Sequence, residues 1–345
     1  NDEARYIVEN LKSWIDQGNN REDAAVLYRS NAQSRVIESA LLQFDIPYRV
    51  YGGQRFFERL EIKNALAYMR LILNCHDDVA FERVVNIPPR GIGERTVDAV
   101  REHARNISIS MWSAAKAMIV DKNLNTRSAN ALAAFLNLIN EMTNTLEALP
   151  LSELAENSIE MSGLIEMHRR EKGERGQSRV ENLEELVGAC KNFTPESIDT
   201  PVLAQFLDQV SLEAGERQAN EDQDAVQLMT IHSAKGLEFK YVFMIGMEES
   251  LFPHSRSVEN INELEEERRL CYVGITRARQ KLYLSYTEFR RLYGQDSYNP
   301  PSRFINEIPN EHLDFVRPKQ SYRTNFFGTV SSGSSGTDTP FSLGE

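Results

Sequence analysis

Val226-Gln227-Leu228-Met229-Thr230-Ile231-His232-Ser233-Ala234-Lys235-Gly236-Leu237-Glu238-Phe239-Lys240-Tyr241-Val242-Phe243-Met244-Ile245 decides how this chain folds. Two apolar runs, 226–231 and 241–245, flank a segment of small and polar residues. Each run is too short for a helix and lacks polar alternation, which is the pattern of a strand buried on both faces. The same texture opens the chain. Ile7, Val8, Leu11, Trp14 and Ile15 recur at helical spacing, Ala24-Ala25-Val26-Leu27-Tyr28 is a short apolar run, and helix returns over 32–44. Pro47-Tyr48-Arg49-Val50-Tyr51 is extended, and Gly52-Gly53 stops it. Helix and strand in this alternation predict an α/β fold built on a parallel sheet.

Between these two α/β pieces the strands vanish. Helical patterns follow one another over 60–73, 79–85, 95–104, 129–146, 151–161, 180–190 and 201–214, and an acidic stretch over 213–224 closes the series. After it, a helix over 264–278 and a strand over 282–286 complete the α/β texture. In that helix Leu264, Cys271, Ile275, Ala278 and Leu282 are expected to form the buried stripe. The expected organisation is one discontinuous α/β domain, 1–50 plus 223–317, carrying an all-helical insertion over 51–222. A Ser/Gly-rich linker or tail follows over 318–345.

Composition narrows the function. The 345 residues carry 39 Lys and Arg against 51 Asp and Glu, a net charge of −12. That balance opposes a protein coated in positive charge, but leaves room for local basic patches. Apolar runs are too short for a membrane helix, and no secretory signal opens the chain. Cys75, Cys190 and Cys271 lie far apart, with neither disulfide nor metal-site spacing, which fits a reducing cytoplasm. The sequence holds no GxxxxGK[ST] phosphate loop, HExxH or GxSxG motif.

Three kinds of segment carry chemistry. In the opening stretch Thr230, His232 and Ser233 are donors suited to phosphate, Lys235 adds charge, Gly236 permits close backbone approach, and Glu238 can accept from a ribose hydroxyl. A loop leaving the carboxyl end of a strand is where open α/β sheets bind ligands; an ordinary polar turn is the competing reading. In Glu265-Glu266-Glu267-Arg268-Arg269-Leu270-Cys271-Tyr272-Val273-Gly274-Ile275-Thr276-Arg277-Ala278-Arg279, Arg277 either reaches across a cleft or complements the helix dipole. Arg268 and Arg269 pair with neighbouring glutamates. In Leu27-Tyr28-Arg29-Ser30-Asn31-Ala32-Gln33-Ser34-Arg35 a strand ends and a helix begins, so helix N–H groups with Arg29 and Asn31 form a phosphate or base-edge site.

These residues carry a resemblance. The run 230–239 looks like motif V, and 266–279 like motif VI, of superfamily-one DNA helicases. From residue 4 to about 318 the chain resembles the C-terminal half of the UvrD/PcrA/Rep family. That resemblance implies most of a second RecA-like domain with its helical insertion, the first strands of that domain and the whole facing domain being absent from the chain. It places ATP with Mg²⁺ between the two domains, the Mg²⁺ ligands lying on the missing N-terminal half. Gly236 and Glu238 would line the nucleotide, with Glu238 on the ribose and Arg277 as the arginine finger on the γ-phosphate. Arg29, Asn31 and His254 would contact single-stranded DNA, with Thr230, His232 and Lys235 as further donors. Tyr293 would stack at the single-strand/duplex junction on a β-hairpin.

In the insertion, Pro88-Pro89-Arg90-Gly91-Ile92-Gly93-Glu94-Arg95 joins two helices. The resemblance makes it a duplex-binding turn using Arg90, Gly91, Gly93 and Arg95. The segment 168–179, with Arg175 and Arg179, is expected to be a basic loop against the duplex backbone. The function implied is an ATP-dependent 3′-to-5′ helicase of nucleotide-excision and mismatch repair, with repair proteins as partners and no membrane. The chain alone is expected to be inactive as an ATPase. A stand-alone helical DNA-binding or partner-binding module that keeps helicase motifs as scaffold is the alternative.

Overall fold

A computed structural model describes residues 2–144, 148–215, 223–292 and 295–316. Helix α1 (Asp2–Asp16) leads into strand β1 (Ala24–Tyr28), helix α2 (Ser34–Gln43) and strand β2 (Tyr48–Val50). Among the described residues nine helices follow: α3 (Leu60–Leu73), α4 (Asp78–Val84), α5 (Glu94–Asn106), α6 (Met111–Val120), α7 (Thr126–Thr143), α8 (Leu151–Ser162), α9 (Leu164–Arg169), α10 (Glu174–Asn192) and α11 (Val202–Gly215). Strands β3 (Val226–Thr230) and β4 (Phe239–Met244) then precede helix α12 (Ile261–Ile275) and strand β5 (Ala278–Leu284). A hairpin of β6 (Arg290–Leu292) and β7 (Gln295–Ser297) and a short helix α13 (Arg303–Asn306) complete the series.

The five longer-range strands form one sheet in the order β2-β3-β1-β4-β5, and every pairing is parallel. β1 is buried along its whole length because β3 and β4 flank it and helices cover both faces. Gaps between strand partners in sequence are wide: Ala25 faces Gln227 and Val26 faces Phe243, so the sheet closes around everything inserted between β2 and β3.

The apolar residues collect in two clusters. One gathers α1, α2 and the sheet, from Ile7 and Leu11 to Phe243 and Ile245, with Trp14 stacked on Tyr241 at 5.1 Å. The other draws on residues 56–210, where Phe81 meets the edges of Trp112 and Phe135. Truncating a buried aromatic of this kind typically costs about 3–5 kcal/mol. Two compact units divide the chain, Asn1–Pro309 and Asn310–Glu345, and both clusters belong to the first. Of the second unit, residues 310–316 are described, with one helical turn at Asn310–His312.

Several elements depart from the sequence expectation, and two of them bear on the site. The helix expected over 264–278 ends at Ile275, and Ala278 already belongs to β5, paired with Phe239. Its buried face is therefore Glu267, Leu270, Cys271 and Gly274, an i, i+3, i+4, i+7 set, instead of the expected stripe. The segment 168–179 is also not a loop: α9 runs to Arg169 and α10 starts at Glu174, so Arg175, Gly176 and Arg179 are helical.

Candidate functional site

Because all five strands are parallel, their carboxyl ends share one edge and their amino ends the other. The stretch 231–238 runs from the carboxyl end of β3 to the amino end of β4, so it crosses the sheet. It therefore serves two edges, separated by about 20 Å for a six-residue strand such as β4. The sequence alone sets the whole loop at the carboxyl end; the structure leaves Thr230 there and carries Glu238 to the opposite side.

At the amino edge stand Gly236, Glu238 and Arg277. Gly236 adopts a left-handed backbone with φ of 89°, and the space where a side chain would begin is open. Glu238 is exposed and accepts from Arg279 Nε at 2.9 Å. Arg277 sits between α12 and β5, and its main chain takes part in the sheet edge, its carbonyl accepting from Phe239 N. All three guanidinium nitrogens donate within the chain: Nε to Val273 O (2.9 Å), Nη1 to Leu237 O (2.7 Å) and Nη2 to Thr276 Oγ1 (3.0 Å). An exposed carboxylate, an accessible glycine backbone and a half-buried arginine on one rim are a donor and acceptor set that fits a ribose and a terminal phosphate.

At the carboxyl edge the chain leaving β1 is locked by a capping box. Gln33 Oε1 accepts from Arg29 N and Ser30 N at 3.0 and 2.8 Å, so the two N–H groups just ahead of the helix already have a partner. The Ser-x-x-Gln spacing that announces this box is legible in 30–33. Arg29 is gripped by Glu267 of α12, Nε donating to both carboxylate oxygens (3.0 and 3.1 Å) and Nη2 to Oε1 (2.7 Å). Burial pushes the Arg29 guanidinium down, but Glu267 outweighs it and holds the group above its ordinary range.

His254 joins the same cluster. Its backbone N donates to Glu267 Oε2 at 3.3 Å, and its Nε2 lies 3.5 Å from Glu181 Oε1 on α10. Glu181 also accepts from Ser30 Oγ (2.5 Å) and Gln177 Nε2 (3.0 Å). Burial raises that carboxyl; the bonds from His254, Ser30 and Gln177 overcome it and hold the pKa low. Asn31 presents its side-chain amide to Ser178 Oγ at 3.4 Å, while its carbonyl accepts from Arg59 Nη1. Thr230 Oγ1 pairs with Ser233 Oγ at 2.9 Å, and His232 and Lys235 project to solvent. Partial burial and then the charge of Arg29 draw the His232 imidazole below its ordinary range.

The insertion places its nominated residues unequally. Arg90 folds inward: Nη1 donates to Pro88 O (2.9 Å), Nη2 to Ser162 O (2.8 Å), and the guanidinium lies over the Tyr68 and Phe135 rings. Asn86 Oδ1 receives Arg90 N and Ile92 N, fixing the turn. Gly91 takes φ of 80°, Gly93 caps α5, and Arg95 on the first turn is exposed. On α10, Arg175 is exposed, whereas Arg179 donates to Glu171 at 2.6 Å and lies 3.8 Å from Glu61. Tyr293 falls outside the described residues. The start of β6 is anchored by Arg290, which donates to the buried Glu248 (2.6 Å) and to Glu3 (2.5 Å), whose side chain is 9% exposed.

Sequence reasoning missed Glu267, Glu181 and Glu248. A glutamate in a Glu-Glu-Glu run or a helical surface pattern gives no local sign of burial; its partner, for Arg29 and Glu267, lies 238 residues away.

A parallel sheet with ligand-type groups on both rims and a large helical subdomain defines the class: an α/β protein with a RecA-like partial domain. The chain belongs to the family of UvrD-like helicase C-terminal domains, which matches residues 1–289. It is 54% identical over 318 residues to DNA helicase II of Escherichia coli (strain K12), covering 92% of this chain and 44% of that protein. DNA helicase II of Haemophilus influenzae is 52% identical over 318 residues, again 92% of this chain and 44% of the relative. ATP-dependent DNA helicase PcrA of Bacillus subtilis (strain 168) is 40% identical over 328 residues, covering 93% of this chain and 44% of its own length. The chain thus spans less than half of the relatives it matches.

Proposed function

We propose that this chain is the C-terminal motor half of an ATP-dependent DNA helicase that moves 3′-to-5′ and acts in nucleotide-excision and mismatch repair. The observation that carries the reading is the division of groups between the sheet edges. Glu238 and Arg277 share the amino edge, Arg29 and His254 the carboxyl edge, and α12 runs from one to the other. In this reading Glu238 and Gly236 hold the ribose side of ATP, and Arg277 reaches the γ-phosphate from across the domain boundary. ATP hydrolysis supplies the free energy of translocation; Mg²⁺ belongs with the facing half.

To act as an arginine finger, Arg277 must release Val273 O, Leu237 O and Thr276 Oγ1. Those bonds keep the guanidinium stored beside its target until a facing phosphate competes for it. Arg29, Asn31, Thr230, His232, Lys235 and His254 form the single-strand contacts, and Tyr293 is the separating aromatic. The domain division 1–50 plus 223–317 against 51–222 follows the two apolar clusters. The turn at 91–95 and Arg175 face the duplex, with Arg90 and Arg179 bracing them from inside. The partners are single-stranded DNA, junctions, the preceding half of the same polypeptide and repair proteins. The protein works in the cytoplasm at the nucleoid; among the described residues no helix is long and apolar enough to cross a membrane.

The test is DNA-stimulated ATPase and unwinding by the full-length protein. Arg277→Ala is expected to lower the ATPase by about 10³-fold or more, and the chain without its facing half is expected to hydrolyse no ATP. An Arg277→Ala protein with the parent kcat refutes the assignment.

A further inference from the structure

We infer that Glu267 is a positioning residue that couples the nucleotide edge to the DNA edge. This inference rests on the reading just given, in which Arg29 contacts single-stranded DNA and Arg277 contacts ATP. Glu267 has a side chain only 5% exposed, and its two oxygens do two jobs at once. They grip one side of the Arg29 guanidinium, through Nε and Nη2, and they receive the backbone N–H of His254. A fork held along one side presents the Nη1 side in a fixed direction, which is how arginine reads an anion with geometric precision.

The carboxylate is also rigidly placed with respect to the other edge. From Glu267 to the last residue of α12, Ile275, is eight residues of helix, a rise of about 12 Å. Arg277 lies two residues further on. Beneath this span Gly274 packs directly on Met244 and Ile231, whose side-chain atoms would lie 2.7–3.3 Å from a Cβ placed there. The helix therefore lies close on the ends of β3 and β4 and moves as one piece. Any displacement of Arg277 on binding a γ-phosphate is delivered by α12 to Glu267, and by Glu267 to Arg29 and His254. The other charged groups facing this cluster, Glu174 and Glu181 from α10, act on Arg29 through space alone.

The sign of the effect separates this role from simple electrostatics. Removing a negative charge beside a DNA contact would by itself tighten DNA binding. Removing a positioning group loosens it, and uncouples it from the nucleotide. The experiment uses the full-length protein and a fluorescein-labelled dT oligonucleotide, with anisotropy measured in the presence and absence of a non-hydrolysable ATP analogue. The parent is expected to bind the oligonucleotide with affinities that differ severalfold between the two conditions. Glu267→Gln is expected to weaken binding about tenfold and bring the ratio of the two affinities close to one. Arg29→Lys, which keeps the charge but lacks the fork, is expected to do the same, and it keeps the test decisive should Glu267→Gln fail to fold. Glu267→Gln combined with Arg29→Ala should be no weaker than Arg29→Ala alone.

Unchanged or tighter binding by Glu267→Gln, a preserved nucleotide ratio in either variant, a parent ratio of one, or additive losses in the double variant would overturn the inference. If Arg29→Ala itself leaves the oligonucleotide affinity intact, the assignment of the carboxyl edge to DNA fails as well. If Arg29→Ala weakens binding and Glu267→Gln does not, only the coupling role is lost.

Discussion

Arg90→Ala should weaken the fold far more than it weakens DNA binding. The arginine beside a Gly-x-Gly turn reads in the sequence as a phosphate contact, but its guanidinium donates to Pro88 O and Ser162 O and covers the Tyr68 and Phe135 rings. Hydrogen bonds from a charged donor contribute about 1.5–3 kcal/mol each, and a cation over an aromatic face about 0.5–1 kcal/mol. These terms are not additive, and Arg90 is half-buried, so water can re-enter and satisfy part of what is left. A net loss of about 2–4 kcal/mol follows. For a domain of this size that corresponds to a fall in Tm of about 4–16 °C.

The chain reports on this region directly, because its two tryptophans are divided between the two apolar clusters. Trp112 packs against Phe81, whose other neighbour is Phe135, the ring beneath Arg90. In a Trp14→Phe background, Trp112 fluorescence followed during heating isolates the helical core. Arg95→Ala is the paired control: exposed on the first turn of α5, it should melt with the parent but reduce the salt slope of duplex binding by about 0.9. The reasoning is refuted if Arg90→Ala melts with the parent and it is Arg90→Ala that loses the unit of salt slope.

Other expectations follow from the same geometry. Glu3 is buried against Arg290: burial raises its pKa, but the arginine's charge and the bonds from Ser285 and Gly246 N outweigh that and hold it low. A depressed carboxyl contributes stability above the unfolded value near 4.5 and loses it as the pH falls through the folded value. The urea midpoint of Glu3→Gln should therefore fall less steeply below pH 4.5 than the parent's, and equal slopes would count against the pair. Gly176→Ala should cost about 1–3 kcal/mol, since the new methyl would overlap His168 O and Glu171; a thermal melt matching the parent would show that α10 can shift. Burial pushes the Cys271 thiol up to about 12 and raises Cys190 further, whereas Cys75 is half-buried. Iodoacetamide at pH 8 should modify Cys75 well before the other two, as read by peptide mass spectrometry.

The strands were legible because a parallel sheet covered on both faces demands unbroken apolar runs, and 24–28 and 226–230 supply them. Helix α3 was equally clear, its bounds matching the apolar period over 60–73. Helix α6 was missed: Met111-Trp112-Ser113-Ala114-Ala115-Lys116-Ala117-Met118-Ile119-Val120 is apolar almost all round, so no period stands out. The strand expected over 282–286 begins four residues earlier: Ala278 reads as the end of the helix, Arg279-Gln280-Lys281 is polar and carries no strand pattern, and only pairing with β4 makes these residues part of β5. In the site, residue types were readable but edges were not. Glu238 and His232 lie six positions apart in sequence, yet the crossing of the sheet by 231–238 sends them to opposite rims.

A count of nominated cations suggests a substantial electrostatic grip on DNA. The structure divides them. Arg29, Arg90 and Arg179 are held by Glu267, by two carbonyls and two rings, and by Glu171. Arg95, Arg175 and Lys235 stand in solvent. Each cation that releases counterions from a single strand contributes about 0.7 to the salt slope, so a few free ones give a shallow dependence. If the protein advances along a strand as proposed, shallow dependence suits it, because bulk attraction that does not change with nucleotide state resists movement. The held arginine can change with nucleotide state: Arg29 reports the position of α12 through Glu267. On the proposed reading the −12 net charge and the buried carboxylates serve one end, weak background attraction with one contact that nucleotide state switches.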